Sequence, residues 1–162
     1  MRFFSQAINY PSIKVILGVL MVAMIWANAT TRKTVIQALF AVAIANTFTE
    51  AFKHLWPMAR PFQELKNPDV IMWVGTAPSH GTASAHAANM AAVAFVFVHF
   101  LRWWGSPWVA IALLVGVSRV YCGAHYPYQV VLGWICGILS ALLVTKGWDL
   151  YQSRRARDQV KP

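Results

Sequence analysis

The sequence predicts an all-α protein built into a membrane as a polytopic bundle of about five spanning helices. Hydrophobic residues make up 58% of its 162 positions and charged residues only 12%, too apolar a balance for an ordinary soluble domain. The apolar residues gather into stretches close to the roughly 17 to 25 residues that a helix needs to cross the hydrocarbon. Most of the charges lie between those stretches or beyond the last of them.

The expected spans are Ser12 to Ala29, Val35 to Phe52, Ala85 to Leu101, Pro107 to Tyr121 and Val130 to Trp148. Each is read as a helix because lipid offers backbone N–H and C=O groups no outside partner. The first follows Arg2 and Lys14 and ends in Ala27-Asn28-Ala29, an A-x-A pattern of the kind that closes a secretory signal. The long leader and the further spans favour a retained helix. Asn28-Ala29-Thr30 also matches a glycosylation sequon, but it abuts a span. The second span contains Asn46, expected to make an interhelical hydrogen bond, and Glu50, three residues before Lys53 and so placed for a helical ion pair. The fourth span is the shortest. The fifth holds Gly133-Trp134-Ile135-Cys136-Gly137, a G-x-x-x-G that permits close helix packing. Trp26, Trp103, Trp104, Trp108 and Trp148 fall near proposed helix ends, where an amphipathic ring suits the interface. Residues 1–152 are read as a single membrane domain and 153–162 as a basic cytoplasmic tail.

The net charge of +9 suggests a polyanion partner, yet the Lys and Arg residues sit at the ends of apolar segments rather than along one soluble face. Membrane topology and anionic headgroups account for them, and no nucleic-acid partner is expected. Arg32 and Lys33, Arg102, and the group Arg154, Arg155, Arg157 and Lys161 mark three cytoplasmic segments by the positive-inside tendency. The connections Lys53 to Ser84 and Cys122 to Gln129 then share the external face. Arg2 and Lys14 would lie outside, against the trend. The first of those connections runs about thirty residues and is rich in proline, glycine and histidine, a length that in compact proteins marks function or disorder.

Only five acidic residues are present, Glu50, Glu64, Asp69, Asp149 and Asp158, which argues against a carboxylate-bridged two-metal centre. Histidines 54, 80, 86, 99 and 125 show no HExxH or Cys/His spacing, so neither a metal nor another cofactor is expected. Cys122 and Cys136, at the edge of and within apolar runs, read as packing residues rather than a disulfide.

The external segments instead concentrate cations and hydrogen-bond donors: Lys53, Arg60, Ser79, His80, Ser84, His86, Arg119 and His125. Guanidinium and ammonium groups neutralise oxyanions while hydroxyls and N–H groups orient them, and both act more strongly where water is scarce. Taken singly, each cation could be an interfacial anchor. Their spacing says more. Lys53 to Pro61 fits K-x6-R-P, Ser118 to His125 fits S-R-x5-H, and Ala83-Ser84-Ala85-His86-Ala87-Ala88-Asn89 lies between them. Together these segments, covering about half the chain, resemble the type 2 phosphatidic acid phosphatase (PAP2) superfamily, whose middle element is P-S-x-H followed by A-A-N.

The resemblance implies a PAP2-like helix bundle in the cell (inner) membrane with its active site on the extracytoplasmic face. It implies metal-independent removal of phosphate from a lipid phosphate or pyrophosphate. His125 would be the nucleophile that carries a phosphohistidine, and His86 the acid and base; Lys53, Arg60, Ser84 and Arg119 would hold the phosphoryl oxygens. Membrane lipids would be the other partners, and oligomeric state is not indicated. Two departures stand out. Position 83 is alanine rather than proline, while Pro78-Ser79-His80-Gly81 offers a scrambled competitor in which Ser79 and His80 would replace Ser84 and His86; the serine-to-histidine spacing favours Ser84 and His86. Gln129 stands where the family places an aspartate that orients and charges the nucleophile. An amide brings no negative charge, so weakened catalysis, or a PAP2-like protein that binds phospholipid or a partner without turnover, is the alternative expectation.

Overall fold

The computed structural model describes residues 10–64 and 80–160, all of it helix, turn and short loop. Helix α1 is Pro11–Ala27, α2 Ala29–Leu55, α3 a single turn at Pro61–Glu64, α4 Ala85–Leu101, α5 Ser106–Tyr121 and α6 Pro127–Val160. A 3-10 turn, Arg102–Gly105, joins α4 to α5. The expected third span coincides with α4 to the residue. The second begins earlier than expected: Arg32 and Lys33 are helical, and the connection after α1 shrinks to Asn28, extended at φ −165°. The Asn28 side chain accepts from the Thr31 N–H at 2.9 Å, capping α2. The last helix also runs on, so the basic stretch 153–160 continues α6 beyond the apolar part rather than trailing from it. Arg2, Ser79 and Lys161 lie outside the described residues.

Helix α4 is the hub, packed against α2, α5 and α6, whereas α1 touches α2 alone among the described elements and buries no residue. The core is made of small side chains. Ala38, Ala41 and Ala45 of α2 meet Ala88, Ala92, Val96 and Phe97 of α4 and Cys136 and Ala141 of α6. Lipid is as apolar as leucine, so helices associate by close van der Waals approach, which small residues allow. The G-x-x-x-G of α6 is where the approach is tightest: a Cβ added at Gly137 would stand 2.1 Å from the Ala88 carbonyl oxygen, and one at Gly133 would stand 2.5 Å from that of Ser84. Gly137→Ala is therefore expected to cost about 1–3 kcal/mol through forced helix separation. Gly147→Ala, with nothing within 4 Å of the added carbon, should be neutral or stabilising by up to about 1 kcal/mol. Thermal unfolding of the two variants in detergent checks the contrast.

At the end of the bundle that carries Arg32, Lys33 and Arg102, Lys33 of α2 lies 3.9 Å from Asp149 of α6 and 4.7 Å from the centroid of the Phe100 ring of α4. Trp26, Trp103 and Trp104 project outward at the same end, as interfacial rings do, whereas Trp108 packs on Phe97 inside. Both cysteines are free and buried. Among the described residues the expected interhelical bond of Asn46 is not formed: Asn46 sits on the exposed side of α2, where its backbone carbonyl accepts the Thr49 hydroxyl. The core-facing positions of that stretch are Ala41, Ala45 and Thr49, which leaves Asn46 on the opposite side of the turn.

Candidate active site

Four helix ends converge at the other end of the bundle: the C-termini of α2 and α5 and the N-termini of α4 and α6. Each delivers part of the sequence-predicted set. Lys53 lies in the last turn of α2, and its ammonium meets Glu50 at 2.6 Å, the expected i, i+3 ion pair. Arg60 follows in the loop, backbone-anchored as the residue that precedes the α3 turn, where the Gln63 side chain accepts its N–H at 2.9 Å. Lys53, Arg60 and Arg119 are all buried, which is unusual for such residues and places their charges where Coulomb forces are least screened.

The loop 56–60 is zipped to 80–82 by hydrogen bonds that involve the backbone. Gly81 N–H donates to the Met58 carbonyl at 2.8 Å. The buried Thr82 hydroxyl donates to the Trp56 carbonyl and accepts the Met58 N–H. Arg60 Nη2 reaches the His80 carbonyl at 3.4 Å. His80 itself is exposed and contributes its backbone, while Ser79 lies outside the described residues. Ser84, fully buried, is the N-cap of α4, its hydroxyl accepting the Ala87 N–H at 3.4 Å. The positive end of α4 is thus turned toward the cations, an arrangement suited to an anion. His86, the second residue of α4, is exposed at this mouth, within the electrostatic reach of Arg119, Arg60 and Lys53.

The S-R-x5-H spacing has a local cause. Arg119 lies in the last turn of α5; Gly123 then takes φ 65°, the left-handed conformation that glycine adopts without strain. That reversal lets the N–H groups of Ala124 and His125 both donate to the Arg119 carbonyl, at 3.1 and 3.2 Å. The guanidinium and the imidazole are therefore held by one tight turn. Ser118, in contrast, turns its hydroxyl back to the Val115 carbonyl and serves its own helix.

His125 is buried, and its Nδ1 lies 3.1 Å from the Gly81 carbonyl oxygen and 3.2 Å from Gln129 Oε1. Both partners are acceptors, so Nδ1 carries the proton and Nε2 keeps its lone pair. The Gln129 amide orientation follows from its other contacts: Nε2 donates to the Ala59 carbonyl at 3.1 Å, and Oε1 accepts the Tyr126 N–H at 3.2 Å. Burial, and next the charges of Arg60 and Arg119, push the His125 imidazole down to a pKa of about 3, against weaker opposing pulls from Gly81 and Gln129. The ring is neutral at any physiological pH. Burial likewise lowers the Arg60 guanidinium from its usual range. Tyr126 donates to Glu64 at 2.7 Å, tying the α3 turn to the residue after His125 and raising the phenol's pKa.

The structure thus gathers Lys53, Arg60, Ser84, His86, Arg119, His125 and Gln129 at one end of the bundle. Sequence reasoning missed Ala59, Gly81 and Thr82. The first two act through backbone carbonyls, for which side-chain identity gives no signal; Thr82 acts through a hydroxyl in a loop where any Ser or Thr would look alike. Among the described residues, no three His, Cys, Asp or Glu side chains come together as metal ligands would. Chemically, the arrangement offers buried cations, a helix N-terminus and an unprotonated imidazole nitrogen, the parts needed to bind and attack a phosphoryl group.

The chain is 31% identical over 121 residues to the bacitracin transport permease protein BcrC of Bacillus licheniformis, a match covering 74% of this chain and 59% of that protein. It is 29% identical over 107 residues to the undecaprenyl-diphosphatase of Sulfolobus acidocaldarius, covering 66% and 52%. The chain therefore spans between about half and three fifths of the length of these relatives. The fold matches the crystal structure of the transmembrane PAP2 type phosphatidylglycerolphosphate phosphatase from Bacillus subtilis with a TM-score of 0.66, at 23% identity and over 99% of this chain and 76% of that one. The PAP2 superfamily profile matches residues 34–152, a stretch that contains every residue of the site, and the chain belongs to that superfamily.

Proposed function

We propose that this protein is a metal-independent phosphatase acting on a membrane lipid phosphate or pyrophosphate through a phosphohistidine intermediate. The observation that carries the reading is His125: a buried, neutral imidazole whose Nδ1–H is fixed by Gly81 and Gln129, so that Nε2 is the nucleophilic nitrogen beside Arg60 and Arg119. Nε2 attacks phosphorus, a P–N bond forms and the P–O bond to the lipid breaks. His86, at the exposed mouth, takes up a proton as the anionic substrate binds beside it and gives that proton to the departing oxygen; it then takes a proton from the water that cleaves the P–N bond, and inorganic phosphate leaves. Lys53, Arg60, Arg119, the Ser84 hydroxyl and the α4 N-terminus hold the phosphoryl oxygens as charge develops on them.

The positive-inside distribution supports a site on the outer face of the cell (inner) membrane, since Arg32, Lys33, Arg102 and the α6 extension all lie at the opposite end of the bundle. The name of the Sulfolobus relative supports an isoprenoid diphosphate as the first substrate to try. Purified protein is assayed for phosphate release from undecaprenyl pyrophosphate, phosphatidylglycerol phosphate, phosphatidic acid and a lipid A phosphate, with and without EDTA. Release from at least one lipid, at a rate unchanged by chelator, is the expected outcome; dependence on an added divalent ion overturns the metal-independent scheme. The uncharged Gln129 favours a competing reading, binding without turnover. An inert wild type whose Gln129→Asp variant gains activity would establish that instead.

A further inference from the structure

Gln129 does more than stand in for an aspartate. Its side chain is fully buried and bonds to two separate pieces of the site, the 125–128 turn and the loop before Arg60. Oε1 takes the proton-bearing Nδ1 of His125 and the Tyr126 N–H, while Nε2 donates to the carbonyl of Ala59, the residue that precedes Arg60, and lies 3.4 Å from the Tyr128 hydroxyl. Its backbone carbonyl meanwhile accepts the N–H of Ser84, the α4 N-cap, at 3.0 Å. Gly81 fits against the same amide: a Cβ there would stand 2.7 Å from Arg60 Cγ and 3.0 and 3.1 Å from the two polar atoms of Gln129. A carboxylate could accept from His125 and Tyr126, but it has no proton for Ala59 and would set an anion against that carbonyl oxygen.

Resting on the phosphatase reading, we propose that Gln129 is a positioning residue whose carboxamide clasps the Arg60 loop to the nucleophile turn, so that in this chain an amide, and not a carboxylate, is what shapes the phosphate pocket. Oε1 sets the imidazole tautomer; Nε2 sets where Arg60 stands. The sequence-based expectation that the amide merely weakens catalysis is thereby reversed: restoring a negative charge at this position disturbs anion binding more than it helps the imidazole.

The test compares wild type, Gln129→Glu, Gln129→Met and Gly81→Ala, each purified in detergent, by calorimetric binding of inorganic phosphate and by lipid turnover across pH. Gln129→Glu keeps the length and the acceptor, Gln129→Met removes both hydrogen bonds without adding charge, and Gly81→Ala crowds the amide while leaving position 129 intact. We expect phosphate affinity to fall about tenfold or more in all three, the effect of losing one buried hydrogen bond or more. The acid limb of kcat/KM should move to higher pH only in Gln129→Glu, because its carboxylate still faces Nδ1 and favours the imidazolium. The charged and titratable groups around position 129 are His125, Tyr126, Tyr128, Arg119 and, through Gly81, Arg60; Gln129→Glu adds its own carboxyl, which titrates together with His125 as a coupled pair. Wild-type affinity in Gln129→Met and Gly81→Ala, with loss confined to Gln129→Glu, assigns the effect to charge alone and overturns the clasp. A variant that does not fold leaves the other two to decide. A wild type that binds phosphate yet turns over no lipid overturns the phosphatase reading while leaving the affinity comparison to judge the clasp.

Discussion

His125→Ala is expected to abolish lipid turnover, with kcat falling by about 10⁴-fold or more, the scale seen when a nucleophile is removed and only binding and electrostatic stabilisation remain. The loss should be specific to chemistry. The imidazole is not part of the alanine-rich core, and the Arg119 carbonyl, which holds the 124–125 turn, is bonded by backbone N–H groups that the substitution keeps. Inorganic phosphate binding should therefore persist, and rapid-quench trapping should show a phosphorylated protein in the wild type and none in the variant. A variant that retains turnover would remove His125 from the reaction.

The same substitution has a signature in acid. The folded protein keeps His125 neutral down to about pH 3, whereas an unfolded chain protonates it below about 6.5. The unfolded state thus binds more protons between those values, and His125 lowers stability progressively as pH falls through the window while costing nothing above it. His125→Ala should consequently lose less thermal stability than wild type between pH 7 and pH 4, a comparison made by unfolding midpoints in detergent.

Arg119→Ala is the second large effect expected, about 10²–10³-fold in kcat/KM, the range for deleting one preorganised donor to a developing oxyanion. Lysine should rescue poorly, because a single ammonium lacks the planar fork that meets two phosphoryl oxygens. The direction of a pH shift separates this electrostatic role from general damage. Burial is the main reason the His125 pKa is low, followed by Arg60 and then Arg119. Deleting a neighbouring cation relieves part of that depression, so the acid limb of kcat/KM should move to higher pH in Arg119→Ala and by less in Arg119→Lys. Steady-state kinetics from pH 4 to 8 provide the check, and an unmoved limb would place Arg119 outside the reach of the imidazole.

Much of this architecture is legible in the amino-acid order because the bilayer enforces simple rules. Apolar stretches must be helices, so Ala85–Leu101 could be bounded to the residue, and cations in K-x6-R-P and S-R-x5-H sit at helix ends where spacing survives folding. What stays illegible is carried by backbone atoms and by rotation about a helix axis. The partner of His125 includes the carbonyl of Gly81, forty-four positions away, and nothing about a glycine announces which acceptor it will present. Gln129 read as a deficient aspartate because only the folded chain reveals the Ala59 carbonyl that requires a donor. Asn46 was expected to seek a neighbouring helix, but the alanines at 41 and 45 set the face of α2 that packs, and the asparagine falls on the other side.

The turn at Gly123 has a mechanical corollary. Because one carbonyl grips both Ala124 and His125, the distance from the second guanidinium to the reactive nitrogen is built into seven consecutive residues and travels with α5 as a rigid unit. The stretch 56–64, by comparison, is moored through separate strands of the polymer, at Thr82, Gln129 and Tyr126. On the proposed phosphatase reading, a bulky headgroup is expected to be admitted by yielding on the Arg60 flank, while the attacking flank keeps its shape.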